Sequence, residues 1–481
     1  LAIVFQTDYK SVYRHNVAGT SYMVVTEPIP KPTGRLRWGR RSIVLTVVLG
    51  LSVVIGMVTL LFPDADRPNA RAIQQLRAVN ESIIIITGPG KLLSVLPRFC
   101  YDILSIALGP RRMRRFEVVT EISASYNKIT DDDLDLVSEF KDLEILDLHN
   151  TEISDDGLTR LKGLTRLRAL ILAKTRISDA GLVNLQDLTQ LEGLVLMGTE
   201  IDGSGFHSLQ NLKGLRELSL YQTDFCDQGM EALKSFDSLE ELALSQTQIS
   251  DEGLVHLQGL SKLKYLGLSS PNITDAGLVH LQGLTNLTQL NLADNRITGS
   301  GLVYLQGMKE LRSLNLENTE VTGPDLALLR ELTSLESLYL SGTKVTDDDL
   351  FYLRELTSLN SLYLDGTQIT GTGLNHLKGM QSLSWLDLKG TQITGPGLED
   401  LQSLGNLTCL DLSGTKITDD GLKFLQGLSQ LRQLEIQNTR VSNLGLTHLK
   451  GLKNLISLEY AGTEITESDF NQLQQWIPGL Y

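Results

Sequence analysis

The chain has 481 residues, 41% of them hydrophobic and 21% charged, with a formal net charge of −14. That length and apolar content permit a large buried core and exclude a wholly disordered chain. Three widely spaced cysteines, Cys100, Cys226 and Cys409, exclude a disulfide framework and any C-x-x-C metal or redox site.

In chain order, residues 1–42 read as a basic cytoplasmic tail. The chain opens on Leu1, Met23 reads as an initiator, and residues 1–22 are given no functional weight. Residues 43–62, IVLTVVLGLSVVIGMVTLLF, run for 20 positions without a charge. That matches the length needed to cross a hydrocarbon layer of roughly 30 Å at about 1.5 Å per residue, and it predicts a transmembrane helix. Lys31, Arg35, Arg37, Arg40 and Arg41 precede it and Asp64 and Asp66 follow, which predicts a single-pass protein with its body outside the cytoplasm.

Residues 63–115 read as a linker and N-terminal cap region. Apolar residues at helical spacing over 71–79 follow Pro68 and Asn69, a short strand is expected at 83–86 before Gly88-Pro89-Gly90, and a second amphipathic segment covers 96–108. Thr87-Gly88-Pro89-Gly90-Lys91 lacks the glycine spacing of a phosphate loop and reads as a turn. The cluster Arg111, Arg112, Arg114 and Arg115 faces lipid headgroups, solvent or the acids at 131–133. Residues 1–115 hold 16 Lys or Arg against 6 Asp or Glu, which leaves −24 on residues 116–481. So acidic a body lacks the cations that neutralise phosphates, and nucleic acid is not an expected partner.

From residue 116 onward one pattern repeats. Leucine stands at 143 and at every 24th residue to 455, with no insertion or deletion, and a second comb keeps the same step from Ile153 to Ile465. Each unit reads L-x-x-L-x-L-x-x-T-x-I-[TS]-D-x-G-L-x-x-L-x-x-L-x-x. Leu146 and Leu148 alternate with polar residues, the period of a short strand with one buried face. Leu158, Leu161 and Leu164 recur every third residue, as a helical or 3₁₀ return requires. One such unit cannot bury its own leucines, but stacked units form a continuous core. The expected fold is therefore an α/β solenoid of about fifteen 24-residue units with a parallel, concave β-sheet, over residues 116–481. Thr151 and its equivalents are expected to satisfy backbone groups where each strand ends, with Asn127 and Asn295 in the same slot and Pro271 as the exception. Ser154 and its equivalents are expected to cap the return segment, with the following acids at its positive end. Tyr460, Phe470, Trp476 and Ile477 are expected to cover the last turn.

The repeat, as in Thr415-Lys416-Ile417-Thr418-Asp419-Asp420-Gly421-Leu422, together with the basic tail and apolar segment before it, resembles the membrane-anchored leucine-rich-repeat proteins of planctomycete bacteria. The resemblance covers most of residues 31–481. It implies a leucine-rich-repeat arc in a bacterial inner membrane, engaged in protein interaction, with no catalytic residue to transfer. Some relatives carry a kinase module, but this chain has no H-R-D or D-F-G element.

Candidate binding residues lie where the sheet faces solvent inside the arc: Ile171, Val195 and Met197, with Ile145, Ala169 and Ala173 around them, then Tyr221, Tyr265, Tyr339, Tyr363 and Trp385. Large aromatic side chains with a polar handle are typical of binding hot spots. His256 and His280 fall in one slot of adjacent turns, but two imidazoles do not complete a zinc site, and no metal or cofactor is expected. The expectation is a non-enzymatic, membrane-anchored interaction module. Its partners would be a protein, or less readily a glycan, and the membrane through one helix. The competing expectation is an envelope scaffold or homotypic adhesion element.

Overall fold

The computed structural model describes Leu76, Ile84–Pro89 and residues 117–481. Among the described residues sixteen strands form one sheet in strict chain order. The first, β1 (Ile84–Pro89), lies antiparallel against β2 (Glu117–Ser123). From β2 through β3 (Ile145–Asp147) to β16 (Ser457–Glu459) every pairing is parallel, one strand per 24-residue unit, and leucine faces leucine, as Leu146↔Leu170 and Leu338↔Leu362. The fifteen strands from β2 to β16 match the fifteen expected units.

From β3 onward the strands are three residues long because the chain bends as soon as Leu148 and its equivalents have turned inward, yet the ladder continues past them. Leu148 N donates to Ile171 O at 2.9 Å and Asn150 N to Ala173 O at 2.8 Å. In the first full turn Leu143, Leu146, Leu148, Ile153, Leu158, Leu161 and Leu164 are all 0% exposed. At roughly 1.5–3 kcal/mol for each fully buried aliphatic side chain, this comb is the main stabilising term. Returns are short α-helices, as Asp155–Leu161, 3₁₀ helices, as Asp179–Leu185, or one followed by the other, as Asp275–Leu278 and Val279–Leu281.

Two corner devices repeat with the core. The residue after the strand bend is left-handed in every turn except that of Ser270, before Pro271: Asn150 has φ 54°, Gly198 65° and Gly366 67°. An L side chain costs about 1–2 kcal/mol there, which favours the glycines and asparagines at this position, while Tyr126, Lys174, Gln222, Gln246 and Asp294 hold the same left-handed conformation. One residue later the threonine hydroxyl donates to the carbonyl three positions back, Thr151 Oγ1 to Leu148 O at 2.7 Å and Thr415 Oγ1 to Leu412 O at 2.6 Å, as expected. At Pro271 the slot is filled from the next turn. Asn295 Nδ2 donates to Leu268 O at 3.0 Å and its Oδ1 accepts from Ser270 N at 3.0 Å.

The serine that follows caps the return in several turns, as expected, with Ser178 Oγ accepting from Ala180 N at 3.3 Å and Thr274 Oγ1 from Ala276 N at 3.2 Å, but the acid has a further role. Ser154 makes no side-chain cap bond; its Oγ donates to Asp131 Oδ2 of the preceding turn at 2.6 Å, and its N–H reaches Asp131 Oδ1 at 2.9 Å. The hydroxyl hydrogen goes to the carboxylate in a charge-assisted bond, while the hydroxyl oxygen can still accept from the return's backbone, as in Ser178 and Thr274. Asp155 holds Ser178, Asp227 holds Ser250, and Asp251 holds Thr274 in the same way. The acids tie one turn to the next rather than only facing a helix end.

The last turn is covered by the helix Glu467–Trp476, with Leu473 and Ile477 buried and the Phe470 ring 5.0 Å from that of Tyr460. The transmembrane helix expected at 43–62 and the amphipathic segment at 96–108 lie outside the described residues. Among the described residues no helix is long and apolar enough to cross a membrane, because every return is cut to a few residues by the 24-residue period. The expectation of a membrane-anchored, single-pass, inner-membrane protein, with the membrane as a partner, is corrected accordingly: the fold established is the leucine-comb solenoid with its parallel sheet.

Candidate functional site

Each strand sends its middle leucine into the core, so its first and third residues, and the residue two further on, project from the opposite face of the sheet. Three columns of side chains result, each advancing by one strand spacing, about 4.8 Å, per turn.

All eight expected site residues stand in these columns and are half-buried. The structure separates them into three groups. Ile171 and Val195 are register neighbours, with Met197 two residues beyond Val195 and Tyr221 one turn after Met197 in the same column. Ala169 and Ala173 beside them are buried. Tyr265 stands on β8 (Tyr265–Gly267), with its hydroxyl over Gly267: a Cβ on that glycine would lie 3.0 Å from Tyr265 Oη.

The third group is the most ordered. Tyr339 on β11 (Ser337–Tyr339) and Tyr363 on β12 (Ser361–Tyr363) pair in register, and their rings stack at 4.4 Å with planes 8° apart. Trp385 on β13 (Trp385–Asp387) follows, its ring 6.1 Å from Tyr363. Strand spacing alone brings the rings of Tyr339 and Tyr363, which share a column, to stacking distance, while Trp385 stands in the strand-first column beside them. Burial first, then the neighbouring Tyr339 and Asp387, push the Tyr363 hydroxyl above its ordinary range, which keeps it a neutral hydrogen-bond donor. Trp385 Nε1 is covered and has no partner.

Two features of this face escaped the sequence reading. Glu217 and Glu241 are register neighbours immediately before Tyr265. Burial, reinforced by Glu241, pushes the Glu217 carboxyl up to about 7, and burial raises Glu241 as well. Two glutamates 24 residues apart in a strand-first position were the available signal. The other is a charge ladder along one rim, with Arg168 bonded to Glu192 at 3.0 Å and Arg216 to Glu240 at 2.8 Å. Exposed pairs of this kind are worth about 0–1 kcal/mol each and align neighbouring turns rather than hold them.

The histidine slot lies on the return side. His280 Nδ1 is 2.9 Å from Gln258 Nε2 of the previous turn, and among the described residues no three His, Cys, Asp or Glu side chains converge on a metal position.

A family model described as a leucine-rich repeat region matches residues 123–374, and a second, leucine rich repeat, matches residues 357–417. Comparison with curated proteins finds no match. Among solved structures, an internalin from Listeria monocytogenes is 22% identical, covers 78% of this chain and 98% of its own, and superposes with a TM-score of 0.51. A leucine-rich-repeat protein from Leptospira interrogans is 19% identical over 72% of this chain and 79% of its own, with a TM-score of 0.48. At these identities the likeness concerns the fold.

Proposed function

The chain belongs to the leucine-rich-repeat family, and from that premise we propose that it grips a protein partner on the sheet face of its arc, chiefly through Tyr339, Tyr363 and Trp385. Solenoids of this family bind partners through the concave face, and the chain is a non-catalytic scaffold. The observation that carries the reading is the stacked aromatic run, held half-exposed on a sheet whose every neighbouring strand is fixed in register. Pre-ordered aromatic area binds with little loss of side-chain entropy, the condition under which a few residues supply most of an interface's free energy. Ile171, Val195, Met197 and Tyr221 form a second, apolar contact area at the other end of the face, with Tyr265 between the two.

A photo-crosslinking residue placed at position 363 tests this, compared with one at Val303, which is exposed on the return side. The expected result is one dominant foreign protein captured at 363 and not at 303, and lost when Tyr339→Ala, Trp385→Ala and a third substitution, Tyr221→Ala, accompany the label. Equal capture at both positions, or capture undiminished by the substitutions, overturns the reading.

A further inference from the structure

We propose that the sheet face takes its partner together with a proton, which the Glu217 and Glu241 pair in the middle of the face accepts; the inference rests on the sheet-face reading above and adds its regulation by pH. The first residues of β5 (Gly193–Val195), β6 (Glu217–Ser219), β7 (Glu241–Ala243) and β8 are register neighbours in one column: Gly193, Glu217, Glu241 and Tyr265. The two glutamates therefore stand one strand spacing, about 4.8 Å, apart, and both are half-buried. Glu217 lies back along the sheet, its Oε2 3.7 Å from where a Cβ on Gly193 would stand, in space that a larger side chain there would fill. Val195 pairs with Ser219 in the next column, and Met197 and Tyr221 stand in the one beyond. The pair thus lies between the apolar contact area and Tyr265, and a partner that reaches from Val195 to the aromatic run covers it.

The surroundings favour the neutral acid. On the face, β5 brings only Gly193 and Val195 to the pair, and Tyr221 and Tyr265 bring phenols. The rim cations beside it are already bonded to other acids, Arg168 to Glu192 and both Arg216 and Lys264 to Glu240. Burial first, then Glu241, push the Glu217 carboxyl up to about 7. Burial, then Glu240, also raise Glu241, against the opposing pull of Lys264. A partner that packs on Val195, Met197 and Tyr221 presents apolar groups to this stretch and removes the water left on the pair. The charged form loses more by that than the neutral form, so the Glu217 carboxyl rises further on binding. Proton and partner then favour each other reciprocally. Affinity is highest below the free value of about 7 and falls as pH rises from there to the bound value. A further rise of about one unit makes binding about sevenfold tighter at pH 6 than at pH 8.5, with about half a proton taken up at pH 7.5.

The test uses the full chain and the protein captured at position 363, with capture run at pH 6 and at pH 8.5. Calorimetric titration at pH 7.5 in two buffers of different ionisation enthalpy counts the protons exchanged, and titrations at pH 6 and pH 8.5 give the affinities. The parent is expected to take up about half a proton and to bind about sevenfold more tightly at the lower pH. Glu217→Gln with Glu241→Gln, neutral throughout, should take up none and bind equally at both values. Glu317, three turns beyond Glu241 on the same face, is a carboxyl raised by burial and by Asp365 and Asp294 instead, so Glu317→Gln should behave as the parent does. Release of protons, the sign of a partner Lys or Arg seated on the pair, overturns the proposal. So does an exchange of none, or an uptake that survives the double substitution or vanishes with Glu317→Gln. Each of these results, with a foreign protein still captured at position 363, leaves the sheet-face reading standing; failure of capture there at both pH values removes that reading and the proton coupling with it.

Discussion

Gly277→Ala tests how the turns are locked together. A Cβ at Gly277 would lie 2.3 Å from Asp251 Oδ1 and 2.8 Å from Leu254 Cδ1, so the Asp251 carboxylate must leave. It would then release Thr274 N–H and O–H, which it holds at 2.8 and 2.6 Å. Bonds to a charged group are worth roughly 1.5–3 kcal/mol each when lost from a covered site; this one is only partly covered, and alanine recovers about 0.5–1 kcal/mol of helix propensity. A net loss of about 2 kcal/mol follows. In an Asp251→Gly background the same alanine meets only the mobile end of Leu254, so its cost should fall by about 1–2 kcal/mol, a coupling that a double-mutant cycle measures. The reversed pair, Asp251→Gly with Gly277→Asp, should recover most of the stability. The chain already contains that arrangement: Gly299 leaves room for Asp325, and Asp325 Oδ2 accepts from Thr322 Oγ1 at 2.7 Å within its own turn. Gly323 and Asp349 repeat it. Urea denaturation of the full chain and variants followed by circular dichroism gives the energies. Strict additivity, or a neutral Gly277→Ala, would refute the interlock.

Glu217 makes stability depend on pH. With its carboxyl raised from 4.5 to about 7, the folded chain keeps a proton that the unfolded chain has lost. The contribution is complete below about pH 4.5 and is lost as pH rises through about 7, so Glu217→Gln should be more stable than the parent at pH 8, by roughly 2 kcal/mol, and little changed at pH 4. Urea midpoints at the two pH values decide it, and a variant no more stable at pH 8 contradicts it. Leu314→Ala, at a position 0% exposed, should cost about 2–5 kcal/mol in the same denaturation assay. Gly366→Val, at φ 67°, should cost about 1–2 kcal/mol or more, since a β-branched side chain is least tolerated there, whereas Gly366→Asn should be milder. A valine variant as stable as the parent would show that the corner tolerates another conformation.

Much of the fold was legible because the burial requirement recurs at one interval. Leu143, Leu146 and Leu148 state which face is buried, and repetition 24 residues later states that the next strand lies alongside. Thr151 was read correctly for the same local reason, as its partner is three residues away. Asp131 was not: its partner, Ser154, lies 23 residues on, and a local motif of serine followed by acids looks like an ordinary helix start. The paired alternation of Asp251 with Gly277, reversed in Gly299 with Asp325, was in the sequence but spans a turn boundary. Site residues were found by facing direction, yet facing direction does not show which of them touch. Tyr265 and Tyr339 look alike on paper; three turns separate them, whereas Tyr339, Tyr363 and Trp385 fall on successive strands. The apolar segment at 43–62 carried an inference about placement that the described residues do not support.

The central claim is that inward leucines fix the turns and leave the sheet face to recognise a protein. Hydroxyl-radical footprinting of the full chain, alone and with the partner captured at position 363, tests it most directly. The account predicts reduced oxidation of Tyr339, Tyr363 and Trp385 in the complex, with Tyr304, Tyr352 and Phe424 on the return side unchanged. Protection of the return-side aromatics, with the sheet-face rings oxidised as before, would contradict it.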